Sequence, residues 1–318
     1  MIAADIGRPL MAAALVVSHT NLAVIYAAAF GLSALTVFFN PAAASVVPAL
    51  AGDDNVVGAN SAVWSAAVLS QIALAPAAGG LVALAGAGPA FAINAASFAA
   101  SGALLVKLPL PARSPAAPSR HLHDITKGLR TIRQSRFLRT LAAVQVLAAL
   151  SAGATSALLV VLAERHLHVG AGRFGLLIGA IGVGAGLGPL VLGRVVRDIR
   201  RPGWLFGPYL LRGAVDFTLA ATSSLPVALG ALSVYGVGTS TGNVTYNSIL
   251  QTVVPNRLRG RVFAFFDIVW QTGRLASIAG GGLIADHLGV TAVYLLGGAL
   301  LIGAFVMGVT GAGSPDLV

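Results

Sequence analysis

The sequence predicts an all-α integral membrane protein, a bundle of about ten transmembrane helices arranged in two pseudo-repeat halves of four and six. Three observations lead to this prediction. The 318 residues are 57% hydrophobic and only 9% charged, and so few charges cannot cover a soluble domain of this length. Apolar stretches long enough to cross a hydrocarbon core recur along the chain. Part of the first half is also repeated in the second half.

Ten apolar spans account for most of the chain. They should be helices, because lipid leaves unpaired backbone groups without hydrogen bonds. Their approximate limits are residues 1–18, 21–43, 56–84, 87–107, 138–163, 172–196, 203–222, 225–252, 262–286 and 289–311.

The internal repeat aligns residues 40–48 with residues 247–255, an offset of 207. Both segments begin with an asparagine and end in Val-Val-Pro. Two further matches are Trp64 with Trp270, and 79–83 with 281–285. A weak repeat of this kind in a hydrophobic chain is typical of transporters built from two similar bundles.

The basic residues predict the orientation of the bundle. Three connections, at residues 107–139, 194–201 and 257–261, contain 15 of the 20 Lys and Arg residues. With ten spans these connections fall on one side. The positive-inside bias therefore places both termini and the central loop in the cytoplasm, with the chain in the plasma membrane as a multi-pass protein.

Four regions follow from the spans. Residues 1–107 form an N-terminal half-bundle of four helices, and residues 108–137 a cytoplasmic linker. Residues 138–311 form a six-helix bundle, and residues 312–318 a cytoplasmic tail. In the linker, Leu122, Ile125, Leu129 and Ile132 have helical spacing, which favours an amphipathic helix on the inner leaflet over a solvated charged segment.

Several classes of function are excluded or disfavoured. There are no cysteines, so thiolate metal sites and cysteine nucleophiles are ruled out. No phosphate-binding Gly-x4-Gly-Lys-Ser/Thr motif occurs. His121/His123 and His166/His168 are spaced as pairs but have no supporting carboxylate or thiolate cluster, so no metal site is expected. The basic residues do not share one soluble face, so no nucleic acid is expected either. We expect no cofactor, no catalytic residues and a monomer whose partners are the bilayer, a small-molecule substrate and protons.

Short motifs along the chain resemble the major facilitator superfamily, whose members have twelve helices in two six-helix bundles. They are similar to the enterobactin-exporter and macrolide-efflux branch in particular. The motifs are Asp-Ile-Gly-Arg at 5–8, Phe-Phe-Asn-Pro-Ala at 38–42, Val-Pro-Ala-Leu at 47–50, Gly-Ala-Asn-Ser at 58–61, Arg-Gly-Arg-Val-Phe at 259–263 and Trp-Gln-Thr-Gly-Arg at 270–274.

The resemblance implies that the family's first two helices, with the loop and latch motif after them, are not in this chain. The repeat leads to the same expectation, because span 203–222 corresponds to the first span. Residues 193–201 resemble a degenerate latch of the second half, although a positive-inside anchor explains them equally well.

Residues 75–80, Ala-Pro-Ala-Ala-Gly-Gly, resemble the Gly-Pro-x-x-Gly-Gly antiporter motif of exporters, with Ala75 in place of the first glycine. Pro76 permits a bend, and Gly79 and Gly80 permit a close helix crossing. The motif favours export, and the alternative is an ordinary kinked helix.

Charged residues within spans are costly and usually face a cavity or one another. Asp5 with Arg8 and Arg212 with Asp216 have spacings at which each pair can neutralise itself. Asp267, Gln271 and Arg274 fall along one helical stripe beside Trp270. A carboxylate facing a water-filled cavity beside an arginine is what proton coupling requires. Ion pairs that fix helix packing are the alternative, favoured for the first two pairs.

Neutral polar residues supply a candidate substrate pathway. Asn40 and Asn247 are equivalent in the repeat, as are Trp64 and Trp270, which can stack on a flat ligand. The other candidates are Asn60, Gln71, Asn94, Gln145, Asn243 and Gln271. For each of them, hydrogen bonding or packing between helices is the simpler alternative.

Taken together, these features predict proton-coupled efflux of a drug-like or siderophore-like compound by alternating access. Uptake of a small solute by the same fold is one alternative. A truncated membrane protein without transport activity is the other.

Overall fold

The computed structural model describes residues 2–18, 20–51, 56–107, 132–195, 201–254 and 256–312. Within these ranges the regular secondary structure is helical. The helices are α1 Ile2–Ser18, α2 Leu22–Ala51, α3 Val56–Ala85, α4 Ala87–Val106, α5 Arg136–Ala157, α6 Leu159–Arg165, α7 Ala171–Val195, α8 Pro202–Ala221, α9 Leu225–Val253, α10 Asn256–Leu288 and α11 Val290–Gly311.

Each of the ten predicted spans corresponds to a helix, and two details differ from the prediction. The span predicted at 138–163 is interrupted at Leu158, whose φ of −93° and ψ of 6° separate α5 from α6. Helices α2 and α10 are also longer than their spans. At the start of α10 the helix continues into the polar residues 256–261, which hydropathy does not mark, whereas the extension of α2 over 44–51 is itself mostly apolar.

The exposed surface has the character of a membrane protein. Five of the described helices are long and apolar enough to cross a bilayer, over Ala66–Ala85, Ala87–Val106, Arg136–Ala157, Ala171–Leu190 and Val290–Gly311. Large apolar side chains are exposed, including Leu84 at 91% and Val17 at 86%. Such surfaces are stable against lipid and unstable against water. The fold is a multi-pass helical membrane bundle.

The chain divides into two compact units. The first contains α1 to α4 together with residues 171–175. Within it, α1 packs against α4 and α2, and α3 packs against α4.

The second unit contains α5, α6, α8 to α11 and α7 from Leu176 onward. Here α8 packs against α11 and α9, while α5 packs against α10 and α11. Its apolar core includes the fully buried Leu141, Phe206, Ile249, Phe266 and Leu301.

Two helices of the second unit cross at a distance that only glycine allows. A methyl group at Gly184 of α7 would collide with the backbone carbonyl of Ser233, and one at Gly236 of α9 would collide with that of Ile181. Such crossings, in which backbones touch without side chains between them, are a common way for helices to pack in membranes.

A further element of the repeat is visible in the backbone. Gly86 precedes α4 with a φ of 80°, and Gly289 precedes α11 with a φ of 83°. A positive φ of this size strongly favours glycine. The same turn therefore introduces the last helix of each half.

Some predictions fall outside the described residues. The amphipathic linker helix lies there except for Ile132, which is 3% exposed and belongs to the core of the second unit. Most of the degenerate latch at 193–201 and of the tail at 312–318 also lies there. The four domain limits and the orientation stay predictions.

Candidate functional site

The second unit encloses a cavity of about 430 Å³. Helices α5, α8, α9 and α10 supply its lining. Seven lining residues are among those predicted from the sequence: Gln145, Arg212, Asn243, Asn247, Asp267, Trp270 and Arg274. The structure therefore brings these seven side chains to one cavity wall, and their roles stay predictions.

Arg212 is the most buried charge of the cavity lining, with 8% of the residue exposed. Its Nη2 donates a hydrogen bond of 3.2 Å to the hydroxyl oxygen of Tyr235. Its guanidinium carbon also lies 5.0 Å from the centroid of the Tyr235 ring, a favourable cation–π distance. The Nε atom is buried and has no hydrogen-bond partner among the described residues.

Asp216 does not pair directly with Arg212. The i,i+4 spacing predicts an ion pair that neutralises itself, but no N–O distance of 4.0 Å or less joins these two described side chains. Oδ2 of Asp216 instead accepts a hydrogen bond of 3.4 Å from the Ser151 hydroxyl. Arg212 bonds to Tyr235 of α9 and Asp216 to Ser151 of α5. Contacts with neighbouring helices, and not the i,i+4 spacing, therefore decide the partners of both groups. Asp216 is 1% exposed and is not part of the cavity lining.

Helix α10 contributes an acid and a base at the exposed part of the cavity. Asp267 and Arg274 are both exposed and both line the cavity, and no ion pair joins them. Gln271, which the sequence places on the same stripe, is exposed but does not line this cavity. The lining stripe of α10 passes through Phe263, Phe266, Asp267, Trp270 and Arg274. Gln271 lies one position to its side.

Amide side chains occupy a second part of the wall. Gln145 is 8% exposed, and its Oε1 accepts a hydrogen bond of 2.8 Å from the Tyr209 hydroxyl. Asn247 donates from Nδ2 to the backbone oxygen of Asn243, at 2.8 Å. This contact is within one helix. Asn247 also lines the cavity.

Five of the eleven lining residues that sequence reasoning missed are aromatic. Tyr209, Tyr235, Tyr246, Phe263 and Phe266 line the cavity beside Trp270. Tyr246 and Phe266 form an edge-to-face pair with centroids 5.8 Å apart. The spacing could have indicated Tyr209 as a lining residue, because it stands three residues before Arg212, on the same helical face.

The predicted candidates of the first unit are less completely described. The side chains of Asn40, Asn60 and Trp64 lie outside the described part of the structure. Gln71 is half-buried on α3, and Asn94 is exposed on α4. The pairing of Asn40 with Asn247 across a pathway stays a prediction.

Asp5 and Arg8 form a closed cluster inside the first unit, and they are 2% and 6% exposed. Arg8 Nη1 lies 3.0 Å from Asp5 Oδ1, and Nη2 donates to the Thr36 hydroxyl oxygen at 3.1 Å. Ser101 donates to Asp5 Oδ2 at 2.8 Å. The rings of Phe39 and Phe98 lie 4.2 and 5.4 Å from the guanidinium carbon.

The two glycines of the antiporter-like motif have different surroundings within the first unit. A methyl group at Gly79 would lie 2.7 Å from the carbonyl oxygen of Ala171 and 3.0 Å from the Cα of Gly175. At Gly80 it would meet nothing within 4 Å. Pro76 lies within α3 one turn earlier. Gly79 is therefore the residue at a close crossing.

Comparison with known proteins identifies the family. Residues 4–312 match the model of the family described as "Transmembrane secretion effector". The chain is also 26% identical over 227 residues to YfiS of Bacillus subtilis (strain 168), described as an uncharacterized MFS-type transporter. That match covers 67% of this chain and 53% of YfiS, so the chain spans about half the length of this curated relative.

Solved structures share the fold at low sequence identity. A bacterial metal transporter superposes with a TM-score of 0.70 at 15% identity, over 98% of this chain and 83% of that one. A bacterial homologue of the iron transporter ferroportin, in its inward-facing state, gives 0.68 at 16% identity, over 98% and 82%.

A bacterial homologue of the lysosomal transporter Spinster gives a TM-score of 0.56 at 14% identity, over 98% of this chain and 80% of that one. These likenesses concern the fold alone. The family assignment depends on the sequence match, which extends over nearly the whole chain. The chain belongs to the transmembrane secretion effector family of the major facilitator superfamily.

Proposed function

We propose that the protein is a secondary active transporter that exports a drug-like or siderophore-like small molecule by proton antiport and alternating access. The observation that carries this proposal is the polar, aromatic cavity inside a membrane bundle of this family. Its volume of about 430 Å³ falls within the range of small-molecule sites, about 300–1,000 Å³.

An organic substrate fits the cavity better than a metal ion. Two structural neighbours are described as metal or iron transporters, but at 15% and 16% identity they support the fold only. Among the described residues there is no group of three or more His, Cys, Asp or Glu side chains that could hold a metal ion. The lining contains one carboxylate, that of Asp267.

Asp267 is the group we assign to proton coupling. It is exposed on α10, lines the cavity and makes no ion pair within 4.0 Å among the described residues. A carboxylate in a water-accessible cavity can exchange a proton as the substrate arrives and leaves. Asp5 and Asp216 are held by buried partners and are weaker candidates.

Export is favoured over uptake by two features. The family description names secretion, and residues 75–80 resemble the antiporter motif of exporters. Uptake of a small solute is the competing outcome of the test below.

The experiment measures accumulation of three fluorescent aromatic compounds, fluorescein, Nile red and ethidium, in cells with and without the chain. At least one should accumulate less when the chain is present, and a protonophore should remove the difference. Efflux that continues after the protonophore would contradict antiport. Greater accumulation would mean uptake, and no difference for any compound would favour the non-transporting alternative.

A matched pair of variants tests the role of Asp267. Asp267→Asn should abolish the protonophore-sensitive difference at normal membrane abundance. Asp286→Asn, which changes an exposed acid of the same helix outside the cavity lining, should leave it intact. Normal export by Asp267→Asn would show that this carboxylate does not couple protons.

A further inference from the structure

We infer that the cavity of the second unit binds an organic anion, with its carboxylate or other oxyanion on Arg212 and Thr239 and a planar aromatic body against the surrounding rings. This inference rests on the proposed function, since it names the substrate class of that cavity. It depends on hydrogen-bond donors that the protein leaves unsatisfied.

Arg212 supplies the first free donor. The residue is 8% exposed, yet its only hydrogen bond among the described residues goes from Nη2 to Tyr235. Its Nε–H is buried and has no acceptor in the described part of the chain. Leaving a buried charged donor unpaired is costly. The buried Nε of Arg8 also lacks a partner among the described residues, and Arg212 in addition lines the cavity. An oxyanion in the cavity would accept from this N–H.

Thr239 supplies the second free donor. Its Oγ1 is buried and likewise lacks a partner among the described residues. It stands four residues after Tyr235 on α9, and both residues line the cavity with Arg212. Most other threonines of this helix are satisfied internally, as when Thr241 and Thr245 donate to backbone carbonyls one turn earlier. The Thr239 hydroxyl is the exception, and it belongs to the same wall as the free guanidinium N–H.

The charged side chains that line the cavity are mostly positive, which suits an anionic ligand. Two arginines, Arg212 and Arg274, line the cavity with one acid, Asp267. The nearby Asp216 is outside the lining and accepts from Ser151. The lining therefore carries one more positive than negative side chain, while Asp216 interacts electrostatically with Arg212 from outside the lining without a direct contact to its guanidinium. Guanidinium groups bind carboxylates and phosphates through charge-assisted hydrogen bonds.

The remainder of the wall favours a flat ligand. Six of the eighteen lining residues are aromatic, although aromatic residues make up 7% of the chain. Aromatic side chains bury large areas and offer faces for stacking. An anionic group attached to a planar ring system satisfies both parts of the wall.

The test compares three probes with the same ring and different charge: 2-naphthoate, 2-naphthamide and 2-naphthylmethylammonium. Each is titrated against the purified full chain in mild detergent, by calorimetry or by quenching of tryptophan fluorescence, with empty micelles as the blank. We expect naphthoate to bind at least about tenfold more tightly than naphthamide, the difference typical of one charged hydrogen bond. The ammonium should bind weakest. Equal binding, absent binding or preference for the ammonium would overturn the inference.

Variants assign the anion to its two donors. Arg212→Gln should weaken naphthoate binding about tenfold or more while leaving naphthamide binding unchanged. Thr239→Val, which keeps the side-chain shape, should weaken naphthoate by roughly threefold to tenfold. Arg165→Gln, an exposed arginine outside the lining, is the matched control and should change neither. If Arg212→Gln does not fold, Thr239→Val alone decides: unchanged naphthoate binding overturns the assignment.

Proteoliposomes separate this inference from the proposed function. If the protein binds naphthoate but moves none of the three probes under a proton gradient, transport is contradicted and the anion site stands. If it moves the ammonium in preference to naphthoate, transport stands and the anion site is overturned.

Discussion

Helices α1 and α8, which the repeat offset aligns, each carry one acid and one arginine, but the two halves use them differently. The repeat offset aligns Asp5 with Arg212, so the order of acid and base is reversed between α1 and α8. In the first unit the pair closes on itself at 3.0 Å, and Thr36 and Ser101 satisfy further polar atoms. In the second unit the acid and the base have separate partners, and the arginine reaches a cavity.

The difference shows that the composition of a charged pair does not decide its role. The outcome depends on what neighbouring helices supply. Thr36, Phe39, Phe98 and Ser101 surround the Arg8–Asp5 pair, and the buried Nε of Arg8, like that of Arg212, has no partner among the described residues. Around Arg212 the neighbours satisfy one nitrogen and leave open space beside it. We interpret the first cluster as structural and the second as a ligand site.

The largest expected difference in unfolding free energy is between variants of Asp5 and Asp216. Asp5→Asn removes the charge paired with buried Arg8, and breaking such a pair costs about 3–5 kcal/mol of unfolding free energy. Asp216→Asn removes a buried carboxylate that has no ion pair within 4.0 Å, so we expect a change within about 1 kcal/mol. Denaturation of both variants in mild detergent measures the two values. Equal losses would contradict the contrast between a closed and an open pair.

Removing the hydroxyl partner of each arginine should give a smaller difference in unfolding free energy. Tyr235→Phe removes the only hydrogen bond of Arg212 among the described residues and should cost about 1.5–3 kcal/mol. Thr36→Val leaves Arg8 its ion pair and its ring contacts and should cost about 1 kcal/mol. The same denaturation assay applies. A larger loss for Thr36→Val would mean that Arg8, not Arg212, is the less well supported cation.

Two glycines beside the acids give a further comparison. A methyl group at Gly297 would lie 2.8 Å from Thr155 Cγ2 and 3.1 Å from Asp216 Oδ2. At Gly102 the nearest atoms, those of Asp5, lie 3.4 Å away. Gly297→Ala should therefore destabilise by about 1–3 kcal/mol, and Gly102→Ala should change stability by less than about 1 kcal/mol. Equal melting temperatures for the two variants would mean that α11 can shift to accommodate the methyl group.

Much of the fold could be predicted from the sequence, because hydropathy over about twenty residues determines which segments enter lipid. The break at Leu158 could not, since no proline or glycine marks it in the sequence. One turn before it lies a contact between helices, in which the Ala154 N–H donates to the Ser277 hydroxyl at 2.8 Å. A sequence pattern does not encode a partner 123 residues away.

The candidate site could be predicted only in part, because contacts between helices are not visible in the sequence. Intramembrane charges and amides are conspicuous, so the sequence analysis named Arg212, Asp267 and Gln145, which the structure places in one cavity lining. Tyr235 and Thr239 were not named: a threonine hydroxyl in a helix usually bonds to a backbone carbonyl of its own helix, and the sequence does not show which group a tyrosine hydroxyl reaches. Only the three-dimensional arrangement shows that Tyr235 bonds to Arg212 and that Thr239 has no partner among the described residues.

The most direct measurement uses the absence of natural cysteines. Asn243→Cys places a thiol in the cavity wall of the second unit, and Ser101→Cys places one beside Asp5 in the first. Each variant is treated with a sulfonate-bearing and an ammonium-bearing thiosulfonate reagent, and both rates are divided by those for free cysteine. We predict that the Asn243→Cys thiol reacts, faster with the sulfonate reagent, while the Ser101→Cys thiol is protected from both. A protected thiol at residue 243, or equal reactivity at both positions, would contradict the assignment of the second cluster as the ligand site and the first as structural.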